Sequence, residues 1–175
     1  MMKQNINLWE YAPQILEGVS KGVLVTTQAD GKVNTMTISW GTLGIQWGKP
    51  IFTVFVRQSR YTKTFLDKNP EFTINVPVGT CDKQILAVCG TESGRDVDKF
   101  QKLGLTQVPG ETVSVPGIAQ LPLTLECKVI YRQDQDLSAL RADLRTACYK
   151  PGTANETDFH TAYYAEVTAA YILKD

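Results

Sequence analysis

The sequence predicts a mainly β protein, built as a small antiparallel barrel with helices packed outside it. Two observations lead to this fold class. About six segments carry the β-branched or alternating pattern of strands, and most are joined through hairpins or short helices. The chain has 175 residues, 43% of them apolar and 21% charged. We therefore expect one globular domain over 1–175 with a sizeable core.

The first elements are a weakly amphipathic helix at about 8–16 and a hairpin. Val23–Thr27 is rich in β-branched residues, "ADGK" supplies an Asp-Gly turn, and Val33–Trp40 runs back. One face of the returning strand is rich in hydroxyls and consists of Val33, Thr35, Thr37 and Ser39. Such a face is either solvated or lines a polar ligand.

The middle of the chain predicts two further strands around a short helix. "GTLGIQWGKP" is expected to be a glycine-rich connection, and "IFTVFV" a strand buried on both faces. A helix of about two turns follows, capped by Ser59 and ended by Pro70. "EFTINVP" is the next strand.

Helical patterns then precede a long loop. "TCDKQILAVCG" predicts a helix closed by Gly90, and a shorter helix is expected from about Arg95. Residues 106–120 contain two Pro-Gly pairs, which predicts an ordered surface loop.

The last third of the chain predicts two strands separated by a helix. "LPLTLECKVIYRQ" alternates as a long strand, and "DLSALRADLRTACY" has a helical stripe of leucines. A loop leads to the closing strand "HTAYYAEVTAAYIL".

Charge and hydropathy exclude several classes of protein. Lys plus Arg and Asp plus Glu both total 18, so no global field attracts nucleic acid or an anionic membrane. No apolar run approaches the roughly 20 residues that span a bilayer. The N-terminal segment lacks the pattern of a secretory signal, so we expect a cytoplasmic protein.

The motif inventory points to chemistry supplied by a cofactor. The four cysteines form no C-x-x-C pair and His160 is the only histidine, so we expect no metal site. Cys89 is expected to be a buried thiol. No nucleophile elbow, phosphate-binding Walker loop or dinucleotide fingerprint is present. An enzyme of this composition would rely on a bound cofactor.

One cluster of donors follows the apolar strand "IFTVF" directly. It contains two guanidinium groups and three hydroxyls, from Arg57, Ser59, Arg60, Tyr61 and Thr62. Guanidinium groups bind phosphate oxygens in a bidentate manner, and hydroxyls fill the remaining acceptor sites. The cluster is therefore a candidate phosphate site, with an ordinary solvated turn as the alternative.

Five stretches together resemble one known family. "DGKVNTMTISW", "VFVRQSRYTKTF", "EFTINVP", "CGTESGRDVDKF" and "LTLECKV" occur in this order in the flavin reductase-like proteins of the FMN-binding split-barrel superfamily, flavoredoxins above all. The resemblance covers roughly residues 20–170. It implies a Greek-key-like split β-barrel that forms a homodimer and binds FMN without a covalent bond near the subunit interface.

The resemblance also implies roles for individual residues. It assigns the flavin phosphate to Arg57, Ser59, Arg60, Tyr61 and Thr62. It places along the flavin ring the strand residues Thr35, Met36, Thr37, Ser39 and Trp40. Further cofactor-binding candidates are Asn75, Ser93, Asp96 and Lys99.

Each assignment has a structural alternative. For the hydroxyl-bearing strand the alternative is the solvated face of an edge strand, and for "RDVDKF" it is a salt-bridged start of a helix. For Trp40 the alternative is a core aromatic residue. His160 is either a satisfied strand-edge histidine or a residue close to flavin or substrate.

The function implied by the resemblance is that of an FMN-dependent oxidoreductase. NADH or NADPH is the expected electron donor, and a small molecule or a redox protein the acceptor. An electron carrier that binds FMN without using nicotinamide is a second possibility. The third is a non-catalytic barrel module for another phosphate-bearing or anionic ligand.

Overall fold

A computed structural model describes residues 1–174 and contains ten strands and five helices in that range. The strands are β1 (Met2–Asn5), β2 (Val23–Ala29), β3 (Lys32–Ile38), β4 (Gly41–Gln46), β5 (Lys49–Arg57), β6 (Glu71–Val76), β7 (Gln107–Val108), β8 (Gly117–Ile118), β9 (Leu123–Asp134) and β10 (His160–Lys174). The helices are α1 (Leu8–Lys21), α2 (Tyr61–Leu66), α3 (Lys83–Thr91), α4 (Lys99–Leu103) and α5 (Ala142–Cys148).

Eight of the strands form one antiparallel sheet. Seven follow the order β3-β2-β6-β9-β10-β5-β4, and β1 pairs with the second half of β10. β7 and β8 form a separate two-stranded ladder. The expectation of a mainly β, antiparallel fold with helices outside the sheet is confirmed, and the architecture is that of the split barrel.

Two hairpins use the same tight turn. Asp30 and Gly31 both have positive φ, as the type I′ turn between β2 and β3 requires, so the Asp-Gly prediction is confirmed. Trp47 and Gly48 repeat this conformation between β4 and β5. The predicted glycine-rich connection was wrong, because most of it forms β4.

The main core lies between the sheet and α1. Ile15 and Val19 of α1 are buried against sheet residues that include Phe52, Phe72 and Leu125. α1 sits close to the sheet at Gly18, where a Cβ atom would lie 2.6 Å from a methyl group of Val76. A second apolar cluster lies beneath α3 on the other face of β2.

Five predicted helix boundaries were wrong. α1 extends beyond the predicted 8–16 to Lys21, and α3 runs past Gly90 to Thr91. α2 is capped by the backbone of Arg60, because the Ser59 hydroxyl and amide both donate to the Asp158 carboxylate. α4 begins at Lys99, after the Asp98 cap, and not at Arg95. α5 occupies only the second half of the predicted helix, beginning after Arg141.

The sheet stays open between its two end strands. Within residues 1–174, β3 and β4 are not paired with each other, although Ser39 and Trp40 are all that separates them in the chain. The first half of β5 pairs with β4, whereas Phe55 and Arg57 extend beyond it. The opening between β3 and the end of β5 is the seam at which the candidate site lies.

In the part of the chain that the structure describes, every helix is too short or too polar to cross a membrane.

Candidate functional site

A cavity of about 250 Å³ opens at the seam, and we call it the seam cleft. Strand β3 and the link after it form one side, and the ends of β5 and β10 form the other. Its lining residues are Met36, Thr37, Ile38, Ser39, Trp40, Phe55, Arg57, Arg60 and His160.

The edge of β3 presents backbone groups to this cleft. The Thr35 carbonyl accepts a hydrogen bond from Lys99 Nζ at 2.9 Å, so it points away from β2. In an antiparallel strand the N–H and C=O of a residue point to the same side, and this side alternates along the chain. Thr37 therefore turns its N–H and C=O outward, at the cleft. Its hydroxyl donates instead to the Leu86 carbonyl at 2.7 Å.

The two arginines of the cleft have different surroundings. Arg57 donates to the carbonyls of Cys148 and Asp158, each at 3.0 Å, and its guanidinium lies 5.1 Å from the Tyr149 ring centroid. The Arg60 side chain is exposed and has no hydrogen-bond or ion-pair partner within residues 1–174. Arg57 is thus a fixed charge, and Arg60 is free to bind an anion.

His160 is buried and held through one ring nitrogen. Its Nδ1 lies 2.5 Å from the Tyr149 hydroxyl, which lies 2.9 Å from the Gln135 side-chain oxygen. That amide oxygen only accepts, so the single Tyr149 proton is assigned to it. Nδ1 then donates to Tyr149, and Nε2 is left as an acceptor.

The same histidine is neutral at physiological pH. Burial, followed by the positive charge of Arg57, lowers the pKa of His160 to about 4, although Asp158 acts in the opposite direction. The Trp40 ring stacks over it at a tilt of 36°, with a centroid distance of 4.9 Å. His160 therefore offers the seam cleft an uncharged ring with one lone pair.

A buried polar network occupies the interior of the sheet beside the cleft. Asn75 accepts from Thr26 and Thr73 and donates to Thr124, with distances of 3.1–3.3 Å. The Thr35 hydroxyl joins the network through Thr26. The side chains of Asn75 and Thr35 are fully buried and hydrogen-bonded, so neither side chain lines the cleft, and their assignment to the cofactor stays a prediction.

The remaining candidates lie around a second, polar cavity of about 540 Å³. Tyr61, Asp96 and Lys99 line it, together with the backbone of Thr35. Two hydroxyls are already committed elsewhere: Thr62 accepts from Asn34 at 2.9 Å, and Ser93 accepts from the Arg95 amide. Ser59, Thr62 and Ser93 line neither cavity. The sequence-predicted set is therefore divided between the two cavities and positions outside both.

Lys99 and Cys89 form a buried contact under the edge of β3. Lys99 Nζ donates to the carbonyls of Thr35 and Cys89, at 2.9 and 3.1 Å. Burial lowers the pKa of Lys99 and raises the pKa of the Cys89 thiol to about 11. The expectation that Cys89 is a buried thiol is confirmed.

Four residues that shape the site were not predicted from the sequence. Tyr149 and Asp158 come from a segment about a hundred residues beyond Arg57, and no local pattern connects them. Arg95 donates to the Ser59 carbonyl and lies over the Tyr61 ring, and its basic side chain within "SGRD" was the available signal. Phe55 was assigned only to the core. Within residues 1–174 no group of three His, Cys, Asp or Glu side chains could hold a metal ion.

This fold is that of the flavin reductase-like split-barrel proteins. The chain belongs to the family described as the flavin reductase like domain, whose model matches residues 18–175. The resemblance found in the sequence is therefore confirmed.

A curated relative and two solved structures show the range of similarity. An Archaeoglobus fulgidus protein, described as uncharacterized, is 33% identical over 99 residues, which are 57% of this chain and 55% of that protein. The flavoredoxin of Methanosarcina acetivorans is 25% identical, with a TM-score of 0.67, over 87% of this chain and 68% of that one.

The FMN-binding domain of a flavin reductases-like enzyme from Shewanella baltica is 19% identical and shows the same fold, with a TM-score of 0.67. That match covers 98% of this chain and 77% of the Shewanella chain. The chain spans little more than half the length of the curated relatives it matches.

Proposed function

We propose that the chain is an FMN-binding oxidoreductase that carries electrons from NADH or NADPH to a small molecule or a redox protein. The observation that carries this proposal is the composition of the seam cleft. It combines an unpartnered guanidinium, a strand edge with free backbone groups, and a neutral imidazole beside an indole ring. The family and the flavoredoxin neighbour support a flavin as the ligand.

The donor set of the cleft fits the parts of FMN. Arg60 has its full set of N–H donors available for the phosphate, and Arg57 adds a fixed positive charge nearby. The Thr37 N–H and C=O match the alternating acceptors and donor on the pyrimidine edge of the flavin ring. Trp40 offers an exposed aromatic face.

Bound FMN would supply the hydride and electron chemistry of the reaction. The chain's own groups would bind and orient it. His160 is uncharged above a pH of about 4, so at pH 7 its Nε2 accepts a hydrogen bond and does not donate a proton. The chain therefore needs no charged acid or base for hydride transfer, which agrees with the single histidine of the sequence.

The nicotinamide donor would enter from the open side of the seam. The chain carries no dinucleotide fingerprint, so a separate dinucleotide fold is not expected to hold NADH or NADPH. An electron carrier that uses a protein donor remains the nearest alternative. Rapid anaerobic reduction of the bound FMN by NADH or NADPH would indicate the enzyme. Reduction only by a reduced protein partner would indicate the carrier.

We also propose a cytoplasmic homodimer. Trp47, Tyr131 and Tyr164 form an aromatic cluster with ring centroids 5.4–6.3 Å apart, and Ile45 beside it is 73% exposed. An exposed apolar group of this kind is typical of a surface that a partner covers. Light scattering gives the mass in solution and checks this expectation.

FMN titration of an Arg60→Ala variant tests the proposal. We expect the dissociation constant to rise roughly 10- to 100-fold, since a hydrogen bond to a charged group is worth about 1.5–3 kcal/mol. The matched control is Arg132→Ala, because Arg132 is exposed and pairs with Asp67. FMN that fails to bind the wild-type protein would refute the proposal and favour the module for another anionic ligand.

A further inference from the structure

A third cavity, of about 490 Å³, adjoins the seam cleft, and we call it the apolar cavity. Trp40 and Phe55 line both, so the two cavities are neighbours. Its volume lies within the range of pockets that hold small molecules, about 300–1,000 Å³. The function proposed above assigns it no ligand.

The far wall of the apolar cavity consists of leucines that take no part in the core. Leu137, Leu140 and Leu144 line it, and α5, which contributes Leu144, has no buried residue. Leu144 is 44% exposed. One exposed and two half-buried leucines along one wall of a cavity indicate a surface that an apolar ligand covers.

This wall is tied to the seam cleft by polar contacts. Arg57 donates to the Cys148 carbonyl at the end of α5, and Tyr149 bonds to His160 and Gln135. The leucines are therefore held at a fixed position relative to Arg57 and His160. A molecule in the apolar cavity would lie beside whatever fills the seam cleft.

The charges around the apolar cavity select the ligand. Asp134 and Asp136 line it, and no lysine or arginine does. Hydrogen bonds from Ser138 lower the pKa of Asp136, so this carboxylate stays ionised at neutral pH. A negative charge in the ligand would be repelled here, whereas the seam cleft with Arg57 and Arg60 attracts one.

The shape of the lining favours a planar ligand. Trp40, Phe55, Tyr149 and Tyr164 contribute four aromatic side chains. Aromatic rings pack well against other rings, in offset or edge-to-face geometry. We infer that the apolar cavity binds an uncharged aromatic or cyclic group of the second substrate, which receives the electrons. Only the ligand's role as a substrate rests on the proposed function, because binding to the cavity does not itself require FMN.

Binding of two matched probes to the protein without added flavin tests the inference. Benzamide and benzoate have nearly the same size and differ in charge. We expect saturation-transfer NMR to detect benzamide, and benzoate to bind about tenfold more weakly or not at all, because of the two carboxylates. Benzoate binding as tightly as benzamide would overturn the inference.

Two variants of equal exposure locate the probe. Leu144→Lys places a charged chain in the apolar cavity and should abolish benzamide binding. Ile130→Lys is the control, since Ile130 on β9 is also 44% exposed and lines neither the apolar cavity nor the seam cleft. Circular dichroism checks that both fold. Equal benzamide binding by wild type and Leu144→Lys would contradict the assignment.

Two further outcomes separate this inference from the function proposed above. Benzamide binding in a protein that does not bind FMN would refute the proposed function and support the pocket. A wild-type dimer that binds no benzamide, and that Leu144→Lys converts to a monomer, would show that a second copy covers this wall. That result would overturn the inference.

Discussion

Lys99 holds the strand edge that the site depends on, and replacing it with methionine tests this role. The side chain is 4% exposed, and its ammonium donates to the carbonyls of Thr35 on β3 and Cys89 on α3. Methionine keeps the length and apolar stem but leaves both carbonyls without a partner. Each unsatisfied buried acceptor costs about 1–3 kcal/mol.

Part of this cost is recovered, because the variant no longer buries a charge. We therefore expect Lys99→Met to lower the free energy of unfolding by about 2 kcal/mol. FMN affinity should fall as well, since Thr37 lies two residues along the same edge. Urea unfolding followed by tryptophan fluorescence measures the first effect, and FMN titration measures the second.

Lys102→Met provides the control on the same helix. Lys102 is 46% exposed and pairs with Glu92, so its loss should cost less than about 1 kcal/mol. Equal destabilisation by the two variants would refute the account of Lys99. Unchanged FMN affinity in Lys99→Met would show that the edge of β3 does not depend on this contact.

Two further predictions concern pH. His160 is the only histidine, so its NMR titration is unambiguous, and we expect a pKa of about 4, well below the ordinary 6.5. The unfolded chain then takes up a proton that the folded chain does not, so stability should fall as pH drops from about 6.5 to about 4, and a pKa near 6.5 would contradict this. Glu126 is buried; burial raises its pKa, but hydrogen bonds from Thr112 and Glu111 outweigh this and lower it. Its contribution should be present above about pH 4.5 and lost below it. Glu126→Gln should lower the free energy of unfolding, measured with urea at pH 7, by about 2 kcal/mol. The surface change Glu166→Gln is the control and should lower it only slightly. An equally small loss in both variants would argue against this role of Glu126.

The fold was largely predictable, because its main strands have local patterns. β2, β3, β5, β6, β9 and β10 all follow from β-branched or alternating runs. β4 was not recognised, since its two glycines and Gly48 just after it suggested a connection. One of them, Gly41, packs against the Phe52 ring, where a Cβ atom would lie 3.0 Å from Cζ. The need for a glycine at this position becomes apparent only from the packing of Phe52 on the partner strand, β5.

The candidate site was predictable where its residues are neighbours in sequence. Arg57 ends β5 and Arg60 follows it closely, whereas Thr37 lies near the end of β3 and Trp40 in the link after it, so local patterns found them. The tertiary partners could not be found this way. Asn75 resembled a ligand-binding residue but is satisfied by threonines from its own strand and from two others. The network of Tyr149 and His160 depends on a segment whose conformation no local sequence pattern predicts.

An absorption spectrum of the purified protein, with and without added FMN, tests the central claim most directly. We expect flavin bands, with FMN bound in a one-to-one ratio and released on denaturation. Anaerobic addition of NADH or NADPH should then bleach those bands. A protein that stays colourless after FMN is added would contradict the assignment of the seam cleft as a flavin site.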